Sequence, residues 1–227
     1  MELAAPACVS FKGGEGYAKE MKSAEVLASV LGLAVASGLN LYAAVLTVGL
    51  GIRFGWLSGL PPELNILANT WVLGLAGALY AVEFVADKIP FVTPVWDAVH
   101  TFVRPLGGAL LAVGAVGNLD PTLKVVAGLV GGTIALGTHT TKMGLRLAAH
   151  TVPEPVTHSA ISIAEDFSVV GLLLLAYNYP WIAVGVVGVL VVAMIVLIPF
   201  LYRALKSLWR RLKKWIDLSN SESQPVR

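Results

Sequence analysis

Charge is scarce in this sequence. Asp, Glu, Lys and Arg make up only 13% of its 227 residues, where soluble domains carry about 25%. Together with 56% hydrophobic residues and a mean hydropathy of +0.77, that shortage excludes an ordinary water-exposed globule and implies an integral membrane protein. Cysteine is nearly missing as well: a lone Cys8 rules out an intramolecular disulfide and offers no metal-site spacing. The patterns HExxH, GxSxG, CxxC and the P-loop are all absent, which argues against the common hydrolase, redox and nucleotide chemistries. No pair of His residues sits four apart on one helical face, so no metal and no other cofactor is expected. The net charge of +2 is not spread over one surface, and no nucleic-acid partner is expected. A cleavable signal peptide is not expected either, because the first apolar run begins only near Glu25 and lacks a clear small-residue cleavage site.

What is present is a series of apolar runs of membrane-crossing length, about 20 residues each. They predict an all-α, polytopic helical bundle of five to seven membrane segments. Residues 1–23 read as a short amphipathic or disordered lead, 24–202 as the membrane domain and 203–227 as a basic amphipathic tail, polar and disordered over 217–227. The first run, 24–50, carries Ser37, Gly38 and Asn40 at its centre. Two readings stay open there: close packing through small residues, or a discontinuous helix lining a site. Residues 53–65, with Gly55, Gly59, Pro61 and Pro62, predict a loop, and 66–87 a second span.

Most of the ionisable chemistry is concentrated in EFVADKIPFVTPVWDAVHTFVRP, from Glu83 to Pro105. On a helix starting near Pro94, the spacing of Asp97, His100 and Arg104 puts all three on one face, with Asp97 the candidate partner of Arg104. Pro105 leaves two possibilities: one kinked helix over 94–118, or a re-entrant hairpin over 90–104. A second polar stripe, His139, Lys142, Arg146 and His150, follows on 122–150. After it the acids Glu165 and Asp166 echo Glu83 and Asp87, a hint of internal, perhaps inverted, duplication. Residues 181–201 carry no charge. Beyond them, YRALKSLWRRLKK holds six cations, predicting a cytoplasmic C-terminus and a basic amphipathic helix that lies on anionic lipid headgroups.

The motif ADKIPFVTPVWDAVHTFVRP, the Gly38-Leu39-Asn40 break and HTTKMGLRLAAHTVPEPVTHSAISIAEDF resemble a bacterial membrane family, domain of unknown function 4126, over roughly residues 25–200. The resemblance implies a polytopic protein of the bacterial inner membrane and no substrate. Function therefore rests on the residues. Charges at membrane depth cost about 2.5 to 3.5 kcal/mol each and pair in an interior cavity. The expected activity is that of a small transporter, or flippase-like protein, for an anionic or proton-coupled substrate. Arg104, His100, Asp97, Lys142, Arg146 and Asn40 are the candidate substrate contacts; Glu83, Asp87, Lys88, His139, Glu165 and Asp166 are the candidates for proton or ion coupling. The competing readings are an enzyme acting on a lipid headgroup and a lipid-binding scaffold. Self-association is left open.

Overall fold

The structure is a computed structural model that describes the backbone of residues 13–87, 89, 92–149 and 155–222, and side chains chiefly within 23–87, 92–146 and 162–200. It is all-α, with no strand among the described residues. Helix α1 spans Gly13–Arg53, a short 3-10 helix covers Pro62–Ala68, and α2 (Thr70–Ala86), α3 (Thr93–Val116), α4 (Pro121–Ala149), α5 (Pro155–Asn178) and α6 (Pro180–Glu222) follow. Residues 13–23 of the lead are thus helical, and α6 carries the last span into the basic tail without a break.

Local sequence sets these ends. Asn69 caps α2 by accepting from the Trp71 amide at 2.9 Å. Asp120 does the same for α4 from the Thr122 amide at 2.7 Å, with Pro121 at the first helical position, where its missing N–H costs nothing. The Thr122 bonds hold the Asp120 carboxyl below the usual carboxylate range. Gly117, at φ 63°, ends α3 in a conformation that favours glycine. Across Pro105, α3 is one continuous helix, so the re-entrant reading of 90–104 is not what forms.

The re-entrant element is α1 instead. Its backbone leaves helical geometry at Asn40 alone, at φ −153° and ψ 102°. Before the break, Ala28 and Gly32 lie against Ala176, near the C-terminal end of α5. At the break, Asn40 meets Asp166, ten residues back along α5, or about 15 Å at 1.5 Å per residue. After it, Ser58 bonds to Tyr177 at 3.0 Å. The chain therefore rises along α5 to Asn40 and returns to the level it started from. Residues 23–53 are long and apolar enough to cross a membrane, yet they fold into a hairpin whose tip stops at mid-depth. The 3-10 helix and α2, bent by 63° to one another, rise beside the returning leg; α3 then descends, α4 rises, α5 descends and α6 rises.

Small residues allow this. A Cβ on Gly38 would lie 2.5 Å from the Ala135 carbonyl oxygen and from Thr138 Cβ, and one on Gly108 would lie 2.5 Å from Ala135 Cβ. One on Gly131 would run into Ala112. Both readings of the Ser37-Gly38-Asn40 run hold together: Gly38 seats the hairpin against α4, and Asn40 breaks it. Beneath the tip, Leu33, Ala36, Ala44, Leu111, Ala112 and Ala115 form the sealed apolar core.

Candidate functional site

The two polar stripes face each other because α3 and α4 pack side by side and antiparallel. Three cations occupy successive depths. Arg104, fully buried, is deepest: its Nη2 donates to Glu83 Oε1 at 2.5 Å. Its Nη1 donates to the carbonyls of Gly38 and Leu39, both at 2.7 Å. Those carbonyls end the first leg of α1, where the helix dipole is negative and its last C=O groups lack partners. Lys142 Nζ also donates to Leu39 O at 2.7 Å, pairs with Glu165 Oε2 at 2.7 Å and lies 4.0 Å from Glu83 Oε1. Arg146 holds Asp87 with both ends of its fork, at 2.9 and 2.6 Å. It also reaches Glu165 at 3.1 Å and Asp97 at 3.7 Å.

Asn40 works in two directions at the tip. Its Oδ1 accepts from the Ala43 amide at 3.0 Å, capping the second leg, and its Nδ2 donates to Asp166 Oδ1 at 3.0 Å. Tyr80 donates to the other oxygen of Asp166 at 2.6 Å. The histidines sit at the edge of the ladder. His100 Nδ1 carries its proton toward the Trp96 carbonyl at 2.8 Å, leaving Nε2 to accept from Tyr42 at 3.0 Å. His139 Nε2 donates to the Asp97 carbonyl at 3.1 Å, and its buried Nδ1 has no hydrogen-bond partner among the described residues.

Residues 27–200 match the family model described as domain of unknown function, DUF4126. The chain belongs to the DUF4126 family. No curated protein matches it, and no solved structure does. For this DUF4126 protein, function has to come from the site itself.

The structure brings together Asn40, Glu83, Asp87, Asp97, His100, Arg104, His139, Lys142, Arg146, Glu165 and Asp166. Lys88 lies outside the described residues. Seven of them meet as direct ion pairs and Asn40, Asp166, His100 and His139 join by hydrogen bonds; cavities of about 1320 and 480 Å³ lie beside other residues, the second touching the site only at Tyr42. One partner differs from expectation: Arg104 binds Glu83, while the nearest cation to Asp97 is Arg146. The helical spacing placed Asp97 and Arg104 on one face, but seven residues apart on one helix they are two turns distant, and the acid from α2 is closer. Tyr42, Tyr80, Thr101 and Ser162 join the site without having been singled out from the sequence. Tyr80, Thr101 and Ser162 left a signal there, each standing three residues before a charged member, Glu83, Arg104 and Glu165, on the same helical face; Tyr42 left none.

Among the described residues, four carboxylates pair with three cations, and a fifth, Asp166, is held by Asn40 and Tyr80 instead. Glu83 Oε2, Asp97 Oδ1, Arg104 Nε and His139 Nδ1 are buried without hydrogen-bond partners, in a region where most buried polar atoms are paired. An acid excess with unpaired oxygens suits proton binding. The tip itself is testable. Asn40→Ala is expected to lower stability by about 1 kcal/mol through the lost cap. Asn40→Asp should lower it more although it keeps the cap, because it sets a carboxylate against Asp166. Thermal unfolding in detergent compares the two; equal losses would mean that Asp166 does not feel position 40.

Proposed function

We propose that this protein is a small transporter, flippase-like in build, that moves an anionic substrate together with a proton. The observation that carries this reading is the position of Glu165, 2.7 Å from Lys142 and 3.1 Å from Arg146. Its side chain is 14% exposed, more than that of any other ion-paired acid of the ladder, against 1% for Glu83. While Glu165 is ionised, both cations are matched and an anion finds no uncompensated charge. Protonation of Glu165 removes that match. Lys142, whose other acid Glu83 is 4.0 Å away, is then left without a close carboxylate, while Arg146 keeps Asp87; an anion held by charge-assisted hydrogen bonds takes the place of the neutralised acid. Anion and proton bind together for that reason.

Coupling to the backbone follows from Lys142, which holds the carbonyl of Leu39. When Lys142 turns to a substrate or toward Glu83, the hairpin tip loses one of its two cationic anchors. Arg104 keeps the other. A discontinuous helix whose broken end meets ions at mid-depth is a recurring arrangement of secondary transporters. The three cations climb toward the C-terminal end of α4, at the same end of the bundle as the tail end of α6. We assign that side to the cytoplasm of a bacterial inner membrane, by the bias of cytoplasmic segments toward Lys and Arg, with the tail helix on anionic headgroups.

The test uses proteoliposomes with a trapped pH-sensitive dye and inorganic phosphate as the first anion of a panel. Wild-type protein is expected to acidify the lumen only when an anion gradient is present. Glu165→Gln, which imitates the protonated acid, should lose roughly 90% or more of the anion-driven proton uptake while still exchanging labelled anion. Neither flux in the wild type across the panel would point to the scaffold instead. Chemical turnover of a headgroup during the assay would point to the enzyme.

A further inference from the structure

The structure carries a second site, separate from the ion-pair ladder. A groove of about 480 Å³ lies between the returning leg of α1, the 3-10 helix, α2 and α3, a volume within the roughly 300–1,000 Å³ of small-molecule sites. Its inner wall is Leu41, Val45, Leu67 and Leu111. Its rim is also apolar: Ile66, Leu75 and Leu110 line it and are 67%, 63% and 73% exposed. An apolar groove with an apolar rim, on helices inside the membrane, opens to hydrocarbon.

The two ends differ. At the deep end stands Tyr42, bonded to His100. At the other stands Glu63, beside Gly117, where α3 ends and the chain turns at the membrane edge. Glu63 Oε2 is buried and has no hydrogen-bond partner among the described residues. A carboxylate oxygen in that state attracts a cationic donor and repels an anion.

We infer that this groove binds one acyl chain of an amine-bearing phospholipid, with the ammonium of the headgroup on Glu63. The chain fills the apolar slot against the returning leg, and the carboxylate supplies the headgroup preference. Lipid bound there braces the hairpin from the side opposite α5. The inference stands apart from the transport reading, because Glu63, Val45 and Leu79 lie outside the ladder, which the groove meets only at Tyr42.

Two phospholipids with the same photoreactive acyl chain, one with an ethanolamine and one with a glycerol headgroup, test it in vesicles of otherwise neutral lipid. After irradiation, mass spectrometry maps the adducts. The ethanolamine lipid should label the segments around Val45 and Leu111 several-fold more than the glycerol lipid, and Glu63→Gln should abolish that difference. Val45→Trp should remove groove labelling by both lipids while leaving labelling of the outer face of α4, at Leu123 and Leu129, unchanged. Should Val45→Trp fail to fold, Leu79→Phe fills the same slot. Equal labelling by both lipids in the wild type would overturn the headgroup assignment, and groove labelling that survives a filled slot would overturn the site. Either result leaves the Glu165→Gln experiment to decide transport by itself.

Discussion

Replacing Arg104 with glutamine is expected to lower stability by about 3 to 5 kcal/mol, the loss typical of a buried ion pair with one partner removed. Glu83 would be left fully buried without its closest cation. The carbonyls of Gly38 and Leu39 would lose their 2.7 Å donor, and an unsatisfied buried acceptor costs about 1 to 3 kcal/mol. Lys142, 4.0 Å from Glu83, can offset part of this by moving inward. The double variant Arg104→Gln with Glu83→Gln removes both charges and should recover most of the loss, because two amides of that length can still hydrogen-bond. The double variant with Asp97→Asn should recover nothing, since Asp97 faces Arg146. Unfolding temperature in detergent, read beside the yield of monodisperse protein, gives the coupling energy of each pair. If Asp97→Asn rescues and Glu83→Gln does not, the pairing described here is wrong.

The hairpin should be equally sensitive at Gly38, through packing. A Cβ there would sit 2.5 Å from the carbonyl oxygen of Ala135 and from Thr138 Cβ, and the first of these is helix backbone that cannot rotate away. Overpacking of this kind costs about 1 to 3 kcal/mol. Gly38→Val should exceed the range, because pushing the tip off α4 also loosens the carbonyls that Arg104 and Lys142 hold. Gly38→Ala should fall between valine and wild type. The controls are Gly171→Ala on α5 and Gly185→Ala on α6, where an added Cβ meets nothing within 4 Å. Those should be neutral or stabilising by up to about 1 kcal/mol, since alanine is the better helix former. Thermal unfolding of the four proteins is sufficient: a tolerated Gly38→Val would mean that the tip is not seated against α4.

The sequence by itself determined the all-α polytopic class, because apolar runs of about 20 residues have few other uses. It also determined which side chains meet. Charged groups in stripes at helical spacing, on otherwise apolar helices, are too costly to face lipid and must face one another; Glu83, Asp97, His100, Arg104, His139, Lys142, Arg146 and Glu165 were legible for that reason. Tertiary structure alone decided the pairing. Which acid Arg104 takes depends on how far α2 slides along α3, and no helical spacing encodes that distance. The same holds for α1. Its composition allows a span, and only the contacts of Ala28, Asn40 and Ser58 with α5 show that it turns back at mid-membrane. The turn is affordable because two cations from α3 and α4, far away in sequence, bind the carbonyls that the break at Asn40 sets free.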